Sequence, residues 1–243
     1  MSLNEHTVGL IIPAYNEEER IGATVRSLVG LSWVDRILVI DDGSTDQTAA
    51  AASASGAEVI SLPKNRGKAF AMKTGFEAMH TDIVVFLDGD ITEGAEQARR
   101  LVTPICDGTA EVVIARLKMT SGKGGFGFVR KLAEKGLLFL TGHKLTSVLS
   151  GQRAFLSNIL TADHFDYKGF GIEFGMTVDL IRRNRRIKEV DVEMKHQATG
   201  RDLRGFIHRF RQFVDILCVF LAKAMDRVHI KGNACIPKEQ DKV

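Results

Sequence analysis

The sequence predicts an α/β fold in which a mostly parallel β-sheet is flanked by helices. Two observations support this prediction: short apolar runs that suit strands alternate with stretches that suit helices, and a polar motif directly follows each of four such runs. The runs are residues 8–12, 37–40, 59–62 and 83–87. Strands that alternate with helices of this length imply parallel pairing with right-handed crossovers.

The first two helices are predicted from the spacing of apolar residues and from capping side chains. Three apolar residues lie on one face of the first helix: Ile21, Val25 and Leu28. Asn16 is placed to cap this helix, and Gly30 is expected to end it. The second helix is predicted to begin at Ser44, with Gln47 at capping-box spacing, and to end at Gly56.

The later elements follow from the same apolar patterns, with a less regular alternation. Helices are expected near residues 67–79, 93–106, 129–140, 172–182 and 201–227, and strands near 111–115 and 187–194. No internal repeat and no clear linker interrupts them, so the sequence predicts one domain with a C-terminal helical elaboration.

The composition is that of an ordinary globular protein, with 44% hydrophobic and 26% charged residues. The formal net charge of +3 is small, and no nucleic-acid partner is predicted. The cysteines Cys106, Cys218 and Cys235 lie far apart, which suits a reducing cytosol and gives no zinc framework. With neither a secretory signal nor a membrane-spanning apolar stretch, we expect a cytoplasmic protein with at most peripheral contact at the inner face of the membrane.

Two acidic residues, Asp88 and Asp90, flank Gly89 directly after the fourth predicted strand. Side chains at i and i+2 of an extended strand point the same way, so the two carboxylates would form a hard oxygen site for Mg²⁺ or Mn²⁺. An isolated motif of this kind is more often a plain Asp-Gly turn. The three motifs upstream favour the metal site here.

Those three motifs follow the first three predicted strands. They are Pro13-Ala14-Tyr15-Asn16-Glu17, Asp41-Asp42-Gly43-Ser44-Thr45-Asp46 and Asn65-Arg66-Gly67-Lys68. Ligands of open α/β sheets bind outside the carboxyl ends of the strands, so all four motifs describe one site. A carboxylate of the second motif can accept hydrogen bonds from a nucleobase or a ribose. Lys68 is either a solvated loop charge or a ligand for a phosphate or base, and the residues alone leave both open.

Residues 122–127 match the pattern G-x-G-x-x-G, but this match does not predict a dinucleotide site. The segment does not follow the first strand, and no acidic residue stands about 20 positions further on to bind a ribose. A flexible loop that closes on substrate is the favoured interpretation. The chain also lacks the G-x-x-x-x-G-K-[ST] pattern, which excludes a P-loop ATPase or GTPase.

As an ordered set, the four motifs resemble those of the GT-A-fold glycosyltransferases of family 2, which have a Rossmann-like nucleotide-diphospho-sugar transferase fold. The resemblance implies a UDP- or GDP-linked sugar donor and a divalent metal, Mg²⁺ or Mn²⁺. It implies that Asp88 and Asp90 hold the metal and that Lys68 lies near the base and phosphates. The other residues expected at the donor are Pro13, Ala14, Tyr15, Asn16, Glu17, Asp42 and Gly89.

The second half of the chain is similar to the glucosyl-3-phosphoglycerate synthases in two segments, Ser150-Gly151-Gln152-Arg153 and Gly169-Phe170-Gly171-Ile172-Glu173. The resemblance implies that the first segment meets sugar or acceptor, that Glu173 contacts the sugar, and that His196 completes the metal shell. Arg201 is a further candidate for phosphate contact. Met194 stands where that group carries an arginine.

The first half equally resembles the polyprenyl-phosphate sugar synthases, whose acceptor is a lipid phosphate. The C-terminal helix has one apolar face, formed by Leu203, Phe206, Phe210, Phe213, Leu217, Phe220 and Ala224. Between Lys195 and Lys231 there are eight Lys or Arg residues against three Asp. A basic amphipathic helix can lie in an anionic membrane interface, pack on the core of its own domain, or pair two copies as a homodimer.

The predicted function is metal-dependent sugar transfer from a UDP- or GDP-sugar to an acceptor such as a polyprenyl phosphate, with Asp90 and Glu173 as catalytic residues. One alternative is transfer to a small phosphorylated acceptor, and another is a non-catalytic sensor of nucleotide sugars. The single domain is predicted over residues 1–230, with a nucleotide-binding half at 1–116 and an acceptor half at 117–230. Residues 231–243 are predicted to be a loose tail.

Overall fold

A computed structural model describes residues 6–117, 127–196 and 203–233. Nine strands occur in these ranges: β1 (Val8–Ala14), β2 (Arg36–Asp41), β3 (Glu58–Ser61), β4 (Ile83–Phe86), β5 (Ile91–Glu93), β6 (Val112–Leu117), β7 (Arg153–Leu156), β8 (Ile187–Val192) and β9 (Lys195–His196). Seven of them form the main sheet, in the order β3-β2-β1-β4-β7-β6-β8. The remaining two, β5 and β9, pair with each other.

The main sheet is mostly parallel, as the sequence predicts. Strands β1, β2, β3 and β4 pair in parallel, as do β6 and β8, while β7 runs antiparallel to both of its neighbours. In the register of the first three strands, Ala14 lies opposite Asp41, and Asp41 lies opposite Ser61. The first three polar motifs therefore leave the sheet side by side at one edge.

The helices cover both faces of the sheet. They are α1 (Ile21–Arg26), α2 (Thr48–Ala54), α3 (Lys68–Ala78), α4 (Arg99–Cys106), α5 (Gly127–Thr141), α6 (Gly171–Arg182) and α7 (Leu203–Asn233). One apolar core lies between the sheet and α1, α2 and α4, and a second lies between the sheet, α3 and α6. A third core joins α5, α6 and α7.

The predicted caps of the first two helices are wrong. Helix α1 begins only at Ile21 and has no side-chain cap. Asn16 instead adopts a left-handed backbone conformation (φ 55°), and its Oδ1 accepts the N–H of Thr45 at 2.9 Å. The hydroxyl of Ser44 accepts the N–H of Asn16 at 2.9 Å, and α2 begins at Thr48. Both side chains therefore tie two neighbouring loops together, a role that helix-capping patterns do not reveal.

Two other helices differ from their predicted bounds. The fourth helix begins at Arg99, later than predicted, because residues 91–93 pair as strand β5 and residues 95–98 form a turn of 3₁₀ helix. Helix α7 continues to Asn233, so the predicted tail from residue 231 begins as helix.

The inner face of α7 packs on the rest of the protein, which is one of the three arrangements that the sequence left open. Ile216 is fully buried, and Phe213, Phe220 and Ala224 pack against the core shared with α5 and α6. Phe210, by contrast, is 58% exposed, although the predicted apolar face includes it. Among the described helices, none is long and apolar enough to cross a membrane.

Candidate active site

The loop after β2 is built around Asp42, which is only 3% exposed. Its two carboxylate oxygens accept the backbone N–H groups of Arg66 and Gly67, each at 2.8 Å. Gly43 is needed where this loop passes the backbone of Lys64, because a Cβ at Gly43 would lie 2.4 Å from that backbone. Its φ of +70° also favours glycine. Asp42 thus fixes the loop that leads into α3, and its predicted contact with a nucleoside stays a prediction.

The motif after β1 presents its residues in different ways. Pro13 and Ala14 belong to the strand, and Ala14 is buried. Tyr15 is 44% exposed at the edge of the sheet, where an aromatic face can contact a ligand. The carboxylate of Glu17 accepts a hydrogen bond from Arg20 at 2.7 Å. Burial raises the pKa of Glu17 even though Arg20 opposes the shift, and the nearby charge of Asp90 raises the pKa further.

The centre of the site is the side chain of Lys68, in the first turn of α3. Its ammonium donates to Oδ1 of Asp88 at 2.8 Å and to Oε1 of Glu173 at 2.9 Å. Burial disfavours the charge, but the two carboxylates outweigh this effect and raise the pKa of Lys68. A cation is therefore held between two acidic groups from different parts of the chain.

The second oxygen of Asp88 is also engaged, because the amide of Gln152 donates to Oδ2 at 2.6 Å. The backbone passes equally close: a Cβ at Gly151 would lie 2.7 Å from both oxygens of Asp88 and 2.8 Å from Nζ of Lys68. The hydroxyl of Ser150 donates to Oε1 of Gln152 at 3.2 Å. Gly151 and Gln152 therefore contact the acidic motif, while the predicted contact of this segment with sugar or acceptor stays a prediction.

The argument from strand alternation does not apply to Asp88 and Asp90. Strand β4 ends at Phe86, so the motif lies in the turn that follows and the alternation does not extend to it. Asp88 faces Lys68, whereas the charge of Asp90 acts on Glu17 and Arg20. A metal at Asp88 would compete with the two protein donors Lys68 and Gln152, and metal binding by Asp88 and Asp90 stays a prediction.

A strand pairing brings the other predicted metal ligand close to Asp90. In the pair of β5 and β9, His196 lies opposite Ile91, the residue after Asp90. Carboxylate and imidazole groups are suitable ligands for Mn²⁺, and a site with few protein ligands is typical where substrate phosphates complete the shell. Within the described side chains, no group of three or more His, Cys, Asp or Glu residues could hold a metal ion. Arg201, the further phosphate candidate, lies outside the described residues.

The predicted contact of Arg153 with sugar or acceptor is wrong, because the side chain is 1% exposed and turned into the protein. Its guanidinium donates to the backbone oxygens of Ser150 at 2.7 Å and Val148 at 2.5 Å, and to the hydroxyl of Thr177 at 2.8 Å. Burial lowers the pKa of Arg153 to about 10, against the opposing charges of Glu173 and Asp88. Arg153 supports the loop that carries Gln152.

Thr24 is a site-supporting residue that the sequence interpretation missed. Its hydroxyl is fully buried and lies 3.1 Å from the carbonyl oxygen of Gly89 and 2.8 Å from that of Ile91. These contacts hold the turn that carries Asp90. The available signal was a polar residue next to Val25 on the predicted inner face of the first helix.

A groove of about 610 Å³ lies between the first turns of α3 and the segment before α6, and the two neighbours of Lys68 in the chain, Gly67 and Ala69, line it. Its walls include three basic residues, Arg66, Lys73 and Lys168, and one acidic residue, Asp166, which pairs with Lys73 at 3.2 Å. The guanidinium of Arg66 stacks 3.5 Å from the centre of the ring of Phe70. The excess of positive charge suits phosphorylated ligands next to the site.

The fold and the site together define the class of protein. The family model of glycosyl transferase family 2 matches residues 10–163, which is more than half of the chain. The chain belongs to this family, and its mostly parallel sheet with flanking helices is the GT-A fold.

Among individual proteins, the chain is 33% identical over 198 residues to the glucosyl-3-phosphoglycerate synthase of Mycolicibacterium smegmatis, covering 73% of this chain and 65% of that protein. It is 30% identical over 206 residues to the undecaprenyl-phosphate mannosyltransferase of Micrococcus luteus, covering 78% of this chain and 84% of that protein. The matches to the synthases of three mycobacterial species span 60% to 65% of their length.

Solved structures support the same relationship. The glucosyl-3-phosphoglycerate synthase of Mycobacterium tuberculosis in complex with phosphoglyceric acid has a TM-score of 0.74 and 27% identity, over 92% of this chain and 84% of that one. A complex of the same enzyme with Mn²⁺, UDP-glucose and phosphoglyceric acid has a TM-score of 0.74 and 28% identity, over 90% of this chain and 80% of that one.

Proposed function

We propose that this protein transfers a hexosyl group from a nucleotide-diphosphate sugar, UDP-glucose first among the candidates, to a phosphorylated acceptor with the help of Mn²⁺ or Mg²⁺. One observation carries the proposal: Lys68, Asp88, Gln152 and Glu173 converge at the carboxyl edge of the sheet in a chain of glycosyl transferase family 2. The donor and metals are those present in complexes of the related synthase.

The chemistry that this site requires is mainly charge stabilisation and positioning. The ammonium of Lys68 can neutralise charge on the diphosphate as the bond to the sugar breaks. Asp90 and His196 would hold the metal, which supplies further positive charge to the leaving diphosphate. Glu173 is ion-paired with Lys68 at 2.9 Å, which suits hydrogen bonding to sugar hydroxyls.

The acceptor that we propose first is a small phosphorylated compound of the phosphoglycerate type. This choice rests on the structures of the synthase with phosphoglyceric acid, which match across nine-tenths of this chain. The basic groove lined by Arg66, Lys73 and Lys168 adds positive charge near the start of α3.

A polyprenyl phosphate is the second candidate acceptor. The matched undecaprenyl-phosphate mannosyltransferase is covered over 84% of its length, more than the curated synthases. In addition, α5 and α7 expose large apolar side chains, among them Phe139 at 62%, Leu221 at 52% and Met225 at 66%. If the acceptor is a polyprenyl phosphate, these helices would make the peripheral contact with the membrane. If it is not, the same exposed face could instead pair two copies as a homodimer.

The proposal is tested first by donor binding. UDP- and GDP-sugars are each added with and without Mn²⁺ or Mg²⁺, and the melting temperature is measured, since a ligand that binds only the folded state raises it. We expect a metal-dependent rise with one nucleotide class. The selected donor is then assayed with 3-phosphoglycerate in solution and with polyprenyl phosphate in anionic vesicles. Binding without transfer to either acceptor would instead favour the nucleotide-sugar sensor.

Replacement of the proposed metal ligand separates chemistry from folding. Asp90→Asn is expected to lower transfer by about 100-fold or more, because charge stabilisation by the metal is lost. Asp107→Asn, at the exposed end of α4, is the matched control and should leave transfer unchanged. Retained activity in Asp90→Asn would remove Asp90 from the metal site.

A further inference from the structure

Helix α7 packs directly over the start of α6, and one of its acidic side chains makes the connection. Oδ2 of Asp215 accepts the backbone N–H of Phe170 at 3.0 Å, and Phe170 is the residue immediately before α6. A carboxylate in this position also interacts favourably with the positive end of the helix dipole. Asp215, on α7, therefore stabilises the first turn of α6.

The glycines in this segment are explained by the approach of α7. A Cβ at Gly169 would lie 2.1 Å from Oδ2 of Asp215, and Gly169 has a φ of +53°. A Cβ at Gly171 would lie 2.6 Å from Cγ2 of Val219, one turn further along α7. Both glycines of the Gly-Phe-Gly segment thus make room for this helix, although the sequence alone suggests a contact with sugar.

The first turn of α6 also carries Glu173, which is 7% exposed and reaches Lys68 at 2.9 Å. Glu173 comes three positions after Phe170, so the hydrogen bond and the ion pair lie within the same turn at the start of α6. A second connection lies further along the same two helices, where the ammonium of Lys223 donates to Asp179 at 2.5 Å. Helix α7 therefore contacts the helix that carries Glu173 at two points, Phe170 and Asp179.

We propose that Asp215 is a positioning residue of the active site: by holding the N–H of Phe170, it sets the first turn of α6 so that Glu173 meets Lys68 and the sugar. This inference rests on the proposed sugar transfer. It gives the C-terminal helix a role inside the enzyme that is independent of what its outer face contacts.

Four variants test the proposal. Asp215→Ala removes the oxygen that accepts the N–H of Phe170, and Asp215→Asn keeps an accepting oxygen without the charge. Gly169→Ala places a methyl group against the carboxylate of Asp215 and so displaces it from Phe170. Asp226→Asn alters an exposed acidic residue on the same helix and is the matched control. Each full-length variant is measured for melting temperature, for kcat and donor KM, and for amide hydrogen exchange of the peptide covering residues 169–174.

For Asp215→Ala and Gly169→Ala we expect kcat to fall by about tenfold or more, with donor KM within about twofold, because displacement of a catalytic group affects the transition state most. Exchange in residues 169–174 should be faster. Asp215→Asn should recover most of the activity, and Asp226→Asn should match the wild type. Unchanged kcat in both Asp215→Ala and Gly169→Ala, or an equal loss in Asp226→Asn, would overturn the proposal.

The failure of this inference can be distinguished from failure of the proposed function. Wild-type turnover is measured first, and its absence with every donor and acceptor would overturn the sugar transfer itself. Hydrogen exchange needs no turnover, so unchanged exchange in Asp215→Ala would still overturn the role of Asp215 in fixing the segment.

Discussion

Lys68 and Glu173 are 105 positions apart in the sequence, and their Nζ and Oε1 atoms lie 2.9 Å from each other. The ion pair joins the last residue of the third motif, which begins α3, to the first turn of α6. It thereby connects the half of the chain that resembles a nucleotide-binding unit to the half expected to bind sugar and acceptor. Both side chains are mostly shielded, at 31% and 8% exposure, so the pairing is electrostatically stronger than one on the surface.

The first prediction concerns the cation of this pair. Lys68→Met would leave the carboxylates of Asp88 and Glu173 close together without a positive charge, so we expect a lower melting temperature and a loss in kcat/KM of about 100-fold or more. Arg36→Met is the control, since Arg36 lies at the end of strand β2 opposite to the site, is 34% exposed and pairs with Glu58 at 2.7 Å. Steady-state kinetics with the selected donor would show a similar loss in both variants if Lys68 had no special role.

The second prediction concerns the close passage of the backbone at Gly151. Gly151→Ala places a methyl group 2.7 Å from the carboxylate of Asp88 and is expected to separate it from Lys68 or Gln152, lowering transfer by about tenfold or more. Gly22→Ala is the control, because Gly22 lies in α1 and the nearest atoms to a Cβ there are the side-chain ends of Arg26 and Ser55, each at 3.0 Å, which can move aside. Full activity of Gly151→Ala would show that the contact is not needed for transfer.

The third prediction concerns stability and the buried guanidinium of Arg153. Arg153→Met leaves two carbonyl oxygens and the hydroxyl of Thr177 without their donor, and unsatisfied buried polar groups cost about 1–3 kcal/mol each. We expect a loss of at least about 2 kcal/mol in the free energy of unfolding from urea titration. Arg153→Lys should recover only part of it. A free energy of unfolding equal to that of the wild type in Arg153→Met would contradict this account.

The fourth prediction concerns acid stability. A hydrogen bond from Thr161 and the guanidinium of Arg183, at 2.5 Å, lower the pKa of Asp163 from its usual 3.8 to about 2. As the pH falls, the Asp163 carboxylate is protonated in the unfolded chain before it is protonated in the folded protein. Its contribution to the free energy of unfolding is therefore complete above pH 3.8 and is lost as the pH falls towards 2. The melting temperature of Asp163→Asn should therefore lie below that of the wild type at pH 6. The difference between the two melting temperatures should become smaller below pH 4.

The same measurement on Asp107→Asn provides the comparison for this acid prediction. Asp107 is exposed at the end of α4, so its replacement should show no such gap at pH 6. A gap for Asp163→Asn that stayed constant from pH 6 to pH 3 would show that the carboxylate does not contribute through its charge.

Several features follow from the sequence alone, because they depend on local patterns. Apolar runs end where polar motifs begin, and this pattern predicts strands β1, β2, β3 and β4 within one or two residues of their ends. Parallel strands that alternate with helices place their carboxyl ends at one edge, so the first three motifs are neighbours without any knowledge of the packing. The order and spacing of the motifs likewise identify glycosyl transferase family 2.

Other features were decided only by the tertiary structure, because they depend on contacts between distant parts of the chain. Whether Arg153 faces a ligand or the interior depends on where Val148 and Thr177 lie, and no local pattern records this. The contacts of Asp88 with Lys68 and the influence of Asp90 on Glu17 could not be predicted from strand alternation, because β4 ends at Phe86, before the motif. The apolar face of α7 is ambiguous in sequence, since packing and membrane binding require the same spacing. Only the tertiary structure shows that Phe213, Phe220 and Ala224 pack against the core shared with α5 and α6, while Phe210 stays exposed.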